Sequence, residues 1–125
     1  MRSVPFLTLI GLMLAVGCAH QWVYLTEGES TKYYLDAQSA VRASGSTWEV
    51  RERFFDIDSN RWFLESDVQY DCVERTFMTL QVREFLEYRP VRHASVISGN
   101  VPVVVTPGSE EEARLQAVCA IVEGG

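Results

Sequence analysis

The chain has little positive charge and a single lysine, Lys32, among its 125 residues. Eleven basic residues stand against seventeen acidic ones, which gives a formal charge of −6. Nucleic-acid backbones and anionic lipid surfaces are bound through clustered Lys and Arg, so this composition argues against both as partners. The two histidines, His20 and His93, have no nucleophile or carboxylate at a catalytic spacing, and no Gly-rich phosphate loop occurs. The sequence therefore predicts no enzyme, no cofactor and no metal site.

A long hydrophobic run is also missing. The apolar segment from Val4 to Val16 is too short for a bilayer, which takes about 20 apolar residues. It follows Arg2 and has the length of the hydrophobic region of a signal peptide. Residues 14–18 read Leu-Ala-Val-Gly-Cys and resemble the lipobox that lipoprotein signal peptidase cuts just before the cysteine. A plain secretory signal, or an uncleaved anchor, is the alternative.

The lipobox resemblance implies acyl chains on Cys18, and several such chains anchor a protein stably. Residues 1–18 are then a lipoprotein signal peptide with the lipidated cysteine, and residues 19–125 form one exported domain. In the enterobacterial-type sorting rule an Asp after the lipidated cysteine retains the protein in the inner membrane. Ala19 stands there instead. We therefore expect an outer-membrane lipoprotein, on the cell surface or the periplasmic face.

Three cysteines are an odd count for an exported chain. Assigning Cys18 to lipid leaves Cys72 and Cys119, which allow one pairing in the oxidising periplasm. Metal binding is the rival reading, but no CxxC and no nearby histidine supports it. A Cys72–Cys119 bridge would close a loop of about 47 residues, for which chain entropy gives about 3–4.7 kcal/mol.

Strand patterns dominate from Trp22 to Val105. The clearest runs from Arg61 to Cys72, where apolar residues alternate with polar ones, as in an antiparallel strand with one wet face. Residues 58–60 predict a hairpin loop before that strand. The rival there is an EF-hand calcium loop starting at Asp56, which lacks the required Gly and Glu. The pattern of residues 36–39 predicts a helical turn.

The last segment has helical periodicity. Ser109 and Glu112 form a capping box, S-x-x-E, and Gly124 ends the pattern. The apolar stripe is Leu115, Val118, Cys119 and Val122. Because Cys72 and Cys119 both lie on apolar faces, the bridge would tie the helix to the sheet. The predicted fold class is α+β: an antiparallel sheet of about six strands with one C-terminal helix disulfide-tethered to one face.

Several weak motifs occur in a characteristic order. They are the lipobox, Tyr33-Tyr34-Leu35-Asp36, Trp48 opening a long strand, Tyr70-Asp71-Cys72 ending one, and Val105-Thr106-Pro107-Gly108-Ser109 before a helix carrying Cys119. In this the chain resembles the surface-adhesin protein E family of proteobacterial lipoproteins. The resemblance implies the same sheet-and-helix fold, a homodimer, and binding of host matrix and plasma proteins. With Lys32 as its only lysine, the chain departs from what lysine-dependent plasminogen capture needs.

Four phenylalanines share the odd-numbered face of the predicted strands. They are Phe55, Phe63, Phe77 and Phe85. One helix covers only one face of a multi-stranded sheet, so these rings are predicted to form an apolar interface for a protein partner or a second copy of the chain. A bulge that shifts the register, or loops covering the rings, is the alternative.

These features together favour a lipid-anchored protein of the cell envelope. Its domain is predicted to be non-catalytic and protein-binding, of the adhesin type. One alternative is a periplasmic inhibitor of a cationic hydrolase such as lysozyme, since acidic charge steers a basic target. Another is an envelope structural lipoprotein. The expected partners are the membrane, through the N-terminal lipid, and a protein, with no nucleic acid and no small-molecule substrate.

Overall fold

One antiparallel sheet and one C-terminal helix make up the described part of the chain. The computed structural model describes residues 21–86, 89–90, 95–96 and 101–124; Cys18, the signal segment and both histidines lie outside these ranges. The long strands are β1 (Trp22–Glu27), β2 (Thr31–Ser44), β3 (Thr47–Asp56), β4 (Arg61–Asp71) and β5 (Thr76–Leu86). The short ones are β6 (Arg89–Pro90), β7 (Ser95–Val96) and β8 (Val103–Val104), and the helix is α1 (Glu110–Gly124).

The strands from β1 to β6 lie side by side in chain order, and β7 and β8 both pair with β5. This order follows from short connections between antiparallel neighbours. The β3–β4 hairpin turns as predicted: Asn60 adopts a left-handed backbone, and the Asp56 carboxylate accepts a hydrogen bond from the Ser59 amide at 3.2 Å. The predicted α+β sheet with a C-terminal helix is confirmed.

The sheet has a helix face, which α1 covers, and an open face on its other side. Seven buried hydrophobic residues form the core between helix and sheet: Leu35, Val50, Val68, Tyr70, Val105, Leu115 and Val118. Val68 and Val118 are fully inaccessible to solvent. Burying a side chain of this size stabilises the fold by about 1.5–3 kcal/mol, so this small core is its main source of stability.

The helix is fixed to the sheet at several points. Cys72, just after β4, is disulfide-bonded to Cys119 across 47 residues, as predicted. The Ser109 hydroxyl accepts a hydrogen bond from the Glu112 amide at 3.1 Å, which confirms the capping interaction. Arg75 lies 2.7 Å from the Glu112 carboxylate. The helix is therefore tied covalently to the end of β4, and one ion pair joins its first turn to the turn between β4 and β5.

A buried ionic group joins the middle of the helix to β3. Arg114 donates to Glu52 Oε1 at 2.6 Å, and the Tyr70 hydroxyl donates to Glu52 Oε2. Glu52 is completely buried and Arg114 is 8% exposed. Burial, and after it the negative charge of Glu52, raises the pKa of Tyr70 well above its ordinary value. Tyr70 therefore stays a hydrogen-bond donor to the buried carboxylate.

Bulges change which side chains share a face, and several sequence predictions fail for that reason. Phe54 pairs with Leu64 while Phe55 pairs with Trp62, so Phe63 is an extra residue on β4. This puts Trp62 and Leu64 on opposite faces, although the alternation places them together. A second bulge on β5 leaves Leu80 unpaired. A one-residue insertion reverses the facing of every residue beyond it.

The four phenylalanines of the predicted interface do not share a face. Phe77 pairs with Tyr70 and packs against the core. Phe63 sits on the bulge, 36% exposed, with its ring centroid 6.2 Å from that of Phe54. Phe55 and Phe85 lie on the open face, in contact with Trp62. The single-face grouping was wrong because each bulge resets the parity of its strand; the homodimer itself stays a prediction.

The predicted helical turn at residues 36–39 was also wrong. These residues continue β2, but four residues of β2, Ala37–Ala40, face only Val50 on β3. Hydrogen bonds of the Ser39 side chain stabilise the bulge. The Ser39 hydroxyl donates to the Asp36 carbonyl at 2.6 Å and accepts from the Arg51 amide at 2.8 Å. The polar residues that suggested a helical turn instead hold a wide bulge.

Candidate functional site

Five charged side chains form an ionic network on the open face, carried by three adjacent strands. They are Arg51 and Arg53 on β3, Glu65 and Asp67 on β4, and Arg83 on β5. Strand register creates the network, because it places Arg51 opposite Asp67 and Arg53 opposite Glu65. Opposite charges directly across an antiparallel pair attract each other.

Arg83 sits at the centre of this network. Its guanidinium donates to Glu65 Oε2 at 2.7 Å and to Asp67 Oδ1 at 2.8 Å. Arg53 binds the other Glu65 oxygen at 2.9 Å, and Arg51 binds Asp67 at 2.9 Å. The side chains of Glu65 and Arg83 are only 6% and 11% exposed. Glu65 and Arg83 are thus shielded from water, whereas the side chain of Arg51 is 43% exposed.

The network shifts the pKa values of two of its members, Asp67 and Arg83. Burial acts to raise the pKa of Asp67, but the hydrogen bonds from Arg83 and Arg51 outweigh it, so the pKa is lowered. For Arg83, burial acts to lower the pKa and the two carboxylates raise it, with the carboxylates prevailing. Asp67 and Arg83 are therefore charged at neutral pH, and neither is placed to exchange a proton there.

A cleft opens beside the network, where β2 bulges away from β3. Its volume is about 470 Å³. Its polar lining residues are Asp36, Gln38, Ser39, Glu49, Arg51 and Asp67. The cleft exists because four residues of β2 face one residue of β3, which separates the two strands locally.

The cleft has more carboxylates than guanidinium groups in its lining: three against one. Asp67 and Arg51 neutralise each other within the network. Glu49 is exposed, and its carboxylate makes no hydrogen bond or ion pair with any other residue that the structure describes. A cationic group entering the cleft would find this carboxylate available.

An aromatic cluster lies beside the ionic network on the open face. Its members are Trp22, Tyr24, Tyr34, Phe55, Trp62 and Phe85. The Trp62 ring lies in the middle, with its centroid 5.0 Å from that of Tyr34 and 6.2 Å from that of Trp22. The Arg53 guanidinium lies 4.2 Å from the centroid of Trp22 while its Nε binds Glu65. This stacking connects the aromatic cluster to the ionic network.

The sequence did not single out these features. The sequence does contain a pattern that indicates cross-strand ion pairs. Two arginines, Arg51 and Arg53, alternate on β3, and two carboxylates, Glu65 and Asp67, alternate on the paired strand β4. No sequence pattern indicated the cleft, because the cleft depends on the width of the β2 bulge. The aromatic cluster differs from the predicted phenylalanine interface in that tryptophans and tyrosines dominate it, and Phe55 and Phe85 are its only phenylalanines.

Comparisons with known proteins give no relative: no family model, no curated protein and no solved structure matches the chain. Across the described ranges, no helix is both long and apolar enough to span a membrane. Within the same ranges, no three His, Cys, Asp or Glu side chains are grouped to hold a metal ion.

Proposed function

We propose that the chain is a lipid-anchored protein of the cell envelope whose domain binds another protein and catalyses no reaction. The cleft on the open face is the observation that carries the proposal. Arg51 and Asp67 of the ionic network line it, and it presents the exposed carboxylate of Glu49. A small number of placed polar groups around a cavity provides specificity in binding sites.

The charge of the cleft indicates the chemistry of the partner. A protein that presents an arginine or lysine side chain would match the exposed carboxylate of Glu49. The overall charge of −6 would also speed the approach of a basic partner. The adhesin-type hypothesis favours a host matrix protein that contacts the cleft through a basic segment.

The experiment measures binding of the purified mature protein to immobilised matrix proteins by surface plasmon resonance. Glu49→Gln removes the cleft charge and keeps the shape of the side chain. Loss of one exposed ionic contact weakens binding by up to about fivefold. Glu29→Gln is the matched control. Glu29 is exposed and lies outside the cleft, and its substitution removes the same charge. Equal affinities for both variants would refute the cleft as the binding site.

An inhibitor of a cationic hydrolase is the second candidate, and the acidic lining of the cleft favours it as well. The two candidates differ in their target. Inhibition of a cationic lysozyme that Glu49→Gln weakens, without binding to matrix proteins, would select the inhibitor. Protease accessibility of the protein on intact cells separates them further, because an adhesin faces outward and a periplasmic inhibitor does not.

A further inference from the structure

The aromatic cluster reaches the edge of the sheet at β1. Trp22 is the first residue of this strand, and β1 pairs only with β2 in the sheet that the structure describes. Tyr24 is 49% exposed and Trp22 is partly exposed. Aromatic side chains with a polar atom are therefore presented at the point where the chain enters the domain.

The distance from this point to the lipid is short. Three residues separate Trp22 from Cys18, so the two Cα atoms are at most about 14 Å apart. A domain of about a hundred residues is about 30 Å across. If Cys18 carries lipid, as proposed above, the tether is shorter than half the domain. The side that carries Trp22 then has to face the membrane.

The side chains at this place suit the headgroup region of a bilayer. Tryptophan and tyrosine are enriched there because the ring is apolar while the N–H or O–H group stays hydrated. Arg53, which stacks on Trp22, is neutralised by Glu65 at 2.9 Å. Glu27, whose Oε1 accepts a hydrogen bond from the Tyr24 hydroxyl at 2.9 Å, is the charge that this edge of the sheet adds. A zwitterionic lipid surface has no net charge to repel it.

We propose that Trp22 and Tyr24 lie in the headgroup region of the bilayer that holds the Cys18 lipid, so that the aromatic cluster orients the domain on the membrane. The inference rests on the proposed lipid anchor. It leaves the cleft for the protein partner, because the cleft lies along β2 beyond Asp36, and Trp22–Asp36 is the last pair between β1 and β2 within the described ranges.

The test uses the full-length protein purified from membranes, with its lipid verified by intact mass, in phosphatidylcholine vesicles. Tryptophan emission is compared with and without lipids brominated on the acyl chains, which quench only nearby indole rings. We expect quenching in the wild-type protein and loss of most of it in Trp22→Phe. Trp48→Phe is the matched control and keeps the quenching, because Trp48 pairs with Tyr70 on the helix face.

Each other outcome overturns the inference in a recognisable way. A lipidated protein that floats with the vesicles without quenching refutes the orientation and leaves the lipid anchor standing. A mature protein without lipid removes both proposals. If Trp22→Phe fails to fold, protection of the wild-type tryptophans from aqueous iodide on vesicle binding serves as the second measurement. Protection without quenching by brominated lipid would mean that something other than lipid covers Trp22, which also refutes the proposal.

Discussion

Replacing Arg114 with methionine tests whether the buried ionic group stabilises the helix on the sheet. In the wild-type protein, Arg114 lies 2.6 Å from Glu52, whose side chain has no exposure. The variant keeps most of the side-chain volume but leaves a buried carboxylate without its cation. Breaking a buried pair from one side costs about 3–5 kcal/mol. That is a large share of the total stability of a small domain, about 5–15 kcal/mol.

Arg75→Met is the matched control. Arg75 also binds a glutamate across the helix–sheet boundary, at 2.7 Å, but its side chain is 43% exposed. Exposed pairs contribute about 0–1 kcal/mol, so this variant is expected to be nearly as stable as the wild-type protein. The two ion pairs have similar N–O distances, so the difference in burial accounts for the difference between the predicted losses of stability.

Urea unfolding followed by tryptophan fluorescence measures the unfolding free energies of Arg114→Met and Arg75→Met. The double variant Glu52→Gln/Arg114→Met removes the orphaned charge and is expected to recover part of the loss. An Arg114→Met loss below about 1 kcal/mol, or no recovery in the double variant, would refute this account of the buried group.

Three further predictions concern the disulfide, the lipid and the ionic network. Cys72→Ser/Cys119→Ser should lower the unfolding free energy by about 3–4.7 kcal/mol, and unreduced wild type should resist thiol alkylation at both positions; full labelling would contradict the bridge. Cys18→Ala should yield an unlipidated protein released from membranes, whereas an unmodified Cys18 on wild type by mass spectrometry would sink the lipid anchor. Because the pKa of Asp67 is lowered in the folded state, its contribution to stability is present above the unfolded value of about 3.9 and is lost as the pH falls through the folded value. Asp67→Asn should therefore make stability less dependent on pH below about 4, and an unchanged acid profile would show that the network does not stabilise the fold.

The sequence alone determined the fold class and the position of the helix. Period-two alternation, the Ser109 capping box and the 3.6-residue stripe depend on local spacing, so they were readable without a structure. The Cys72–Cys119 pairing followed from counting, once Cys18 was set aside. Local chemistry also predicted the Asn60 turn.

Only the tertiary structure decided which residues share a face. Bulges at Phe63 and Leu80 reverse the parity of β4 and β5, and no local pattern marked them. They put Phe77 and Phe85 on opposite faces and bring Trp62 into the aromatic cluster. The buried pairing of Glu52 with Arg114 likewise joins residues 62 positions apart. Alternation in the sequence shows which side chains share a face of the sheet only while the strand register is unbroken. The register depends on the neighbouring strand.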